Sequence, residues 1–130
     1  MAGKEIFYTY KAPEPKGPYS QAVIHNGVMY LSGQIPLVPA GVPVRGTIEE
    51  ETAAVLENIK IIVEEAGARL EDVLKVTVYL ADMEDFKRFN DVYKNYFPEN
   101  PPARTSIQAG KLPLDVQIEI DAIVALPDKP

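Results

Sequence analysis

The chain has no cysteine, a single histidine (His25) and only four arginines in 130 residues. The first absence excludes disulfides, thiolate nucleophiles and cysteine-built zinc sites, and a lone histidine excludes any two-histidine metal motif, so no metal is expected. Positive charge is scarce as well. Lysine and arginine total 13 against 19 acidic residues, for a formal charge of −6 and a pI near 4.8. The basic residues are scattered, so the average surface repels a phosphate backbone and nucleic acid is not the expected partner. No apolar run approaches the ~18–20 residues of a spanning helix, which argues against a membrane partner. Met1-Ala2-Gly3-Lys4-Glu5 lacks the apolar core of a signal peptide, so a cytoplasmic protein is expected. No internal repeat is visible, and 46% hydrophobic residues suit one domain over residues 1–130 with its own core.

What is present is strongly periodic. Thr47-Ile48-Glu49-Glu50 has the form of a capping box. After it Thr52, Val55, Leu56, Ile59, Ile62, Val63 and Ala66 recur at helical spacing until Gly67 supplies a left-handed stop. A second one-sided helix is expected from an Asp82 cap through Phe86, Phe89, Tyr93, Tyr96 and Phe97, with Pro98 forbidding its continuation. Strand patterns rich in β-branched and aromatic residues cover Ile6–Tyr10, Gln21–His25, Val28–Gly33, Val73–Leu80, Ala103–Ala109 and Val116–Leu126. Asn26-Gly27 between the second and third is a hairpin signal, because both residues tolerate positive φ. The order β-β-β-α-β-α-β-β predicts an α+β fold, one six-stranded mixed sheet with both helices on a single face.

The other sheet face then needs an explanation. Alternation in the last strand sends Val116, Ile118, Ile120 and Ala122 one way and Gln117, Glu119 and Asp121 the other. In the strand before it Arg104, Ser106 and Gln108 fall together, and they are expected to join the acids on a second, polar face with Tyr30 and Tyr79. Such a face is either an ordinary wet sheet surface or one buried by other copies of the chain, and the two tyrosines with few lysines favour burial.

Arg104 stands out among the arginines. Arg45 lies in a Gly/Pro/Val loop, Arg69 follows the helix-ending Gly67, and Arg88 sits on the polar side of a helix. A half-buried arginine on a sheet is a natural bidentate clamp for a small carboxylate, or else the partner of one of the chain's many acids.

Gly17-Pro18-Tyr19-Ser20-Gln21-Ala22, Ser32-Gly33-Gln34-Ile35-Pro36, Phe89-Asn90, Pro102-Ala103-Arg104, Leu112-Pro113 and Ile118-Glu119-Ile120-Asp121-Ala122-Ile123 together resemble the successive signature blocks of the RidA/YjgF family, the reactive-intermediate deaminases. The resemblance spans nearly the whole chain. It implies a chorismate-mutase-like fold, a homotrimer with active sites between subunits, and hydrolysis of 2-iminobutanoate and 2-iminopropanoate to 2-oxo acids and ammonia without a cofactor. By the same resemblance Arg104 binds the substrate carboxylate, Glu119 positions the water, and Tyr19, Ser32, Gly33 and Asn90 complete the pocket. Many bacterial members carry a cysteine where this chain has Ser106, which can donate a hydrogen bond but supplies no thiolate.

Each of these residues has a plainer role open to it. Tyr19 can cap the core from a turn, Ser32 and Asn90 can satisfy backbone ends, and Glu119 can pair with a neighbouring lysine. Asp121 reads as a structural or interface acid, and His25 as an exposed histidine beside the hairpin. Two other functions stand beside the deaminase: a non-catalytic sensor of small carboxylates using the same arginine, and a ribonuclease or translation inhibitor, against which the acidic charge weighs. Glu119 favours the enzyme, because a binder needs Arg104 but has no need of a carboxylate beside the reacting carbon.

Overall fold

The structure, a computed structural model, describes residues 3–128. Met1 and Ala2, the start of the segment judged to lack a signal peptide's apolar core, lie outside the described residues. The elements are β1 (Glu5–Phe7), β2 (Ala22–His25), β3 (Val28–Gln34), α1 (Ile48–Glu65), β4 (Val73–Leu80), α2 (Phe86–Tyr96), β5 (Ala103–Gln108) and β6 (Ile118–Ala125), with short 3-10 turns at Leu70–Asp72, Met83–Asp85 and Pro113–Asp115. The strands form one sheet in the order β1-β2-β3-β6-β4-β5. Every neighbouring pair is antiparallel except β4 and β5, whose parallel pairing requires a crossover, supplied by α2. The expected α+β order and the six-stranded mixed sheet are both present.

Local signals place the elements. Asn26 and Gly27, at φ 51° and 75°, make the two-residue turn between β2 and β3. Thr47 Oγ1 accepts the Glu50 amide at 3.1 Å while the Glu50 carboxylate accepts the Thr47 amide at 2.9 Å, closing the box that starts α1. Gly67, at φ 88°, ends it. Asp82 caps a 3-10 turn instead of α2, accepting from the Glu84 amide at 2.9 Å, and the helix proper begins one turn later at Phe86.

Two strand ends fall short of the alternating pattern, because side chains take the backbone groups a ladder would use. β1 stops at Phe7 as the Thr9 amide turns to Gln21 Oε1 at 2.8 Å. β6 starts at Ile118 since the Gln117 amide and side chain both donate to the buried Glu51 of α1, at 2.9 and 2.7 Å.

The core lies between the helices and one sheet face. Met29 and Leu31 of β3, Val76, Val78 and Leu80 of β4, and Ile118, Ile120, Ala122 and Val124 of β6 pack with Val55, Leu56, Ile59, Ile62 and Val63 of α1 and Phe89 of α2. The opposite face has no helix among the described residues. Tyr30 and Ile107 stand on it 47% and 44% exposed.

Two buried amides pin the long loops beside the sheet. Gln21 donates to the carbonyls of Thr9 and Pro13 at 3.2 and 3.1 Å besides accepting from Thr9, which ties down the segment before β2. Asn58 of α1 donates to the Leu37 carbonyl at 2.7 Å and holds the loop after β3. Gln21→Leu would leave three backbone groups without their partner, so it should lower the unfolding free energy by roughly 2–4 kcal/mol. Urea denaturation measures this, and a loss below about 0.5 kcal/mol, the range of a neutral surface change, would show that the amide does not anchor the loop.

Candidate active site

The site starts from an irregularity in β3. Leu31 pairs with Ala122 and Gln34 with Ile120, so Ser32 and Gly33 on β3 stand against Asp121 alone on β6. This bulge makes room for Glu119. A Cβ added to Gly33 would collide with Glu119 Oε2 and lie 2.9 Å from Cδ, so any side chain there would push the carboxylate out of this position. Ser32 takes the backbone role open to it: its hydroxyl donates to the Ser20 carbonyl at 2.6 Å, and its amide donates to the Gln21 carbonyl at 3.0 Å.

Glu119 is half-buried and forms no ion pair among the described residues, so the lysine partner open to it in the sequence is not found. Burial, with a smaller contribution from Asp121, raises its carboxyl above the ordinary range. Asp121 accepts a hydrogen bond from Tyr79 Oη at 3.2 Å. The tyrosine hydroxyl is itself pushed up by burial first, then by Asp121 and Glu119. No cluster of three His, Asp or Glu side chains able to hold a metal occurs among the described residues.

Glu119, Tyr19, Ser32 and Gly33 line one cavity of about 600 Å³. Its walls come from the two pinned loops and the turn before β6: Pro13, Glu14, Pro15 and Lys16, then Ile35, Leu37 and Gly41, then Pro113 and Leu114. Tyr19 is 53% exposed on the rim. Leu114 is held left-handed at φ 56°, ψ 20°, a conformation that costs a non-glycine residue roughly 1–2 kcal/mol, and its side chain stays exposed beside the opening. Sequence reasoning missed Glu14, Lys16, Gln21, Gln34 and Leu114 as lining residues. Gln21 and Gln34 stand within the signature blocks, and the density of proline in Pro13-Glu14-Pro15-Lys16-Gly17-Pro18, which stiffens the run into Tyr19, was a signal for Glu14 and Lys16.

Arg104, Ser106 and Asn90 are not in this cavity. The sequence pattern put Arg104 and Ser106 on the face of the acids. The register puts them on the other, pairing Arg104 with Val76 and Ser106 with Val78, both buried under the helices. Alternation divides a strand into two faces without saying which neighbour's face each joins, and here the parallel register decides. Glu119 stays on the open face, three rows along and two strands across from Arg104, a Cα separation of roughly 14 Å on strand geometry.

Arg104 has its own surroundings. Its Cζ lies 5.5, 5.3 and 4.7 Å from the ring centroids of Phe86, Phe89 and Tyr93, and it forms no ion pair among the described residues. Ser106 Oγ is buried without a hydrogen-bond partner. So is Tyr93 Oη, which is near the guanidinium without the alignment of a hydrogen bond; burial pushes it up to about 12 against the pull of Arg104. Asn90 follows Phe89 on α2, half-buried. The other arginines engage acids or solvent. Arg88 forks onto Glu49 at 2.7 and 2.9 Å, Arg69 meets Glu71 at 3.4 Å, and Arg45 lies in its loop.

A family model described as Endoribonuclease L-PSP matches residues 9–126. A RutC family protein of Pyrococcus abyssi is 53% identical over 121 residues, 92% of this chain and 95% of the relative. A 2-iminobutanoate/2-iminopropanoate deaminase of Dermatophagoides farinae is 40% identical over 127 residues, 97% of this chain and 99% of the relative. Among solved structures, E. coli TdcF with bound serine is similar with a TM-score of 0.89 and 36% identity, over 95% of this chain and 99% of that one.

The raised Glu119 carboxyl sets a pH dependence of stability. In the unfolded chain it ionises at its ordinary value; in the fold it ionises later, so stability falls as pH rises from the ordinary carboxylate range through the raised value. Glu119→Gln removes that loss. The variant should melt above the wild type near about pH 8, and the gain should disappear near about pH 3, where the glutamate is protonated in both states. Thermal unfolding across this range checks it. A difference in Tm that does not change with pH would mean that the substitution acts through packing.

Proposed function

Because the chain belongs to the RidA/YjgF family, whose model is described as Endoribonuclease L-PSP, we propose that it hydrolyses 2-imino acids such as 2-iminobutanoate and 2-iminopropanoate to 2-oxo acids and ammonia. The observation that carries the reading is Glu119: a half-buried carboxylate with no ion-pair partner among the described residues, given room by Gly33, in a cavity of about 600 Å³. The named deaminase among the relatives and the serine bound to the similar E. coli protein support a small α-carboxylate ligand.

The substrate carboxylate is taken by Arg104 as a bidentate pair, which leaves C2 facing a water held by Glu119. Glu119 accepts a proton as the water oxygen bonds to C2 and the C=N π pair moves to nitrogen. Glu119 returns that proton to the nitrogen, giving a neutral carbinolamine, which then collapses: Glu119 takes the hydroxyl proton as the oxygen becomes the carbonyl and passes it to the nitrogen, the C–N bond breaks, and nitrogen leaves as ammonia. A raised proton affinity suits a group that must take and return a proton near neutral pH. No step needs a cofactor. Imines already hydrolyse in water, so orientation and one base suffice.

One chain holds the base and the clamp apart, so the reading requires Glu119, Tyr19, Ser32 and Gly33 of one copy to meet Arg104, Asn90 and Ser106 of another. The open sheet face with Tyr30 and Ile107 is the surface for that assembly, and we propose a homotrimer of single-domain chains in the cytoplasm. The ribonuclease reading has less support: the charge is −6, and Lys16 is the one cation among the cavity-lining residues.

The purified protein should sediment as a trimer at micromolar concentration and speed the decay of 2-iminopropanoate generated by an amino-acid oxidase. Arg104→Lys should lose most of the activity, because an ammonium cannot make two parallel hydrogen bonds to a carboxylate. Glu119→Gln should keep 2-oxobutanoate binding by calorimetry while turnover falls roughly 10²-fold. Wild-type protein that binds the oxo acid but leaves imine decay unchanged would replace the enzyme with a carboxylate sensor.

A further inference from the structure

We infer that the three aromatic side chains Phe86, Phe89 and Tyr93 form a platform that holds the Arg104 guanidinium ready for a carboxylate, with Phe86 and Tyr93 as positioning residues. The inference rests on the proposed role of Arg104 and adds to it the means by which the clamp is kept available. Two of the other arginines, Arg88 and Arg69, are held by acids, and Arg45 lies exposed in its loop, whereas Arg104 is half-buried. Arg104 has no ion pair among the described residues.

What it has is contact with π faces. The three residues occupy one stripe of α2, at i, i+3 and i+7, and the helix runs over β5 as the crossover from β4. The rings brace one another: Phe86 to Phe89 at 6.3 Å, Phe89 to Tyr93 at 5.3 Å, and Tyr93 to Phe97 at 4.8 Å between centroids. Phe89 is fully buried and Tyr93 is 6% exposed, so the surface under the guanidinium cannot swing away.

The difference between the two ways of holding an arginine lies in which atoms they occupy. A carboxylate takes the N–H edge of the guanidinium, whereas aromatic rings hold a cation by their faces and consume no N–H donor. The platform therefore restrains Arg104 while leaving its hydrogen-bonding edge for a ligand. It also partly desolvates the cation beforehand, which lowers the cost of excluding water when a carboxylate arrives.

The test compares Phe86→Leu, Tyr93→Leu, Tyr93→Phe and Arg104→Ala for 2-oxobutanoate binding by calorimetry and for steady-state imine hydrolysis. Thermal unfolding and sedimentation confirm that each variant is folded and assembled. Phe86→Leu and Tyr93→Leu should each weaken binding and raise KM roughly tenfold, with kcat within about threefold, because a looser clamp costs affinity while Glu119 is untouched. Tyr93→Phe keeps the ring and should restore both values. Should Tyr93→Leu fail to fold, Phe86→Leu, at a half-buried position, carries the test alone. Wild-type binding by Phe86→Leu together with loss in Arg104→Ala would overturn the platform and leave the clamp standing. Loss in Tyr93→Phe equal to that in Tyr93→Leu would overturn it too, by assigning the effect to the hydroxyl. Undiminished binding by Arg104→Ala would remove the clamp itself, and the platform with it.

Discussion

Two helices cover one face of a six-stranded sheet, the described residues put no helix on the other, and most of the architecture follows from that imbalance. The middle of the covered face is aliphatic: β4 and β6 contribute Val76, Val78, Leu80, Ile118, Ile120 and Val124, each at 0% exposure, while Arg104 and Ser106 join it from the edge strand β5. The open face mixes Tyr30, Ile107 and Ile123 with Thr77, Thr105 and the Tyr79–Asp121 pair. At about 25 cal/mol per Å², burying the apolar part of such a surface would stabilise the proposed trimer, and its polar part would orient the copies. The proposed chemistry then needs two copies, because within one chain Glu119 lies on the open face and Arg104 under the second helix.

Much of the fold was legible because its punctuation is local. A capping box, an Asn-Gly turn and a glycine stop each act within four or five residues, and all three stand where the sequence puts them. The strand ends were not legible, for a reason just as physical. β1 and β6 are cut short by Gln21 and Glu51, polar side chains brought in from 12 and 66 residues away to take backbone groups that the ladder would otherwise use. No window of alternating residues contains that information.

The site divides in the same way. Glu119, Gly33, Ser32 and Tyr19 were found through their motifs and do line one cavity. Arg104 and Ser106 were correctly grouped with each other and placed on the wrong side of the sheet, because a period of two fixes relative phase alone and the absolute side comes from the parallel pairing with β4. The wall residues Lys16 and Leu114 lie in irregular segments with no period to read. Leu114 in particular gave no warning, since leucine is among the residues least expected in a left-handed turn.

The position of β5 at the end of the sheet has a consequence for solubility. With β4 as its only neighbour among the described residues, this strand turns half its amide and carbonyl groups outward, the kind of border onto which a foreign strand can add. Its flanks limit the hazard. Pro101 and Pro102 have no amide to donate at one end, Gly110 follows closely at the other, and six residues give a stray chain little length to register against. The strand that carries Arg104 is thereby bracketed so that a foreign pairing cannot extend beyond it, which limits how far a stray chain can add along this edge.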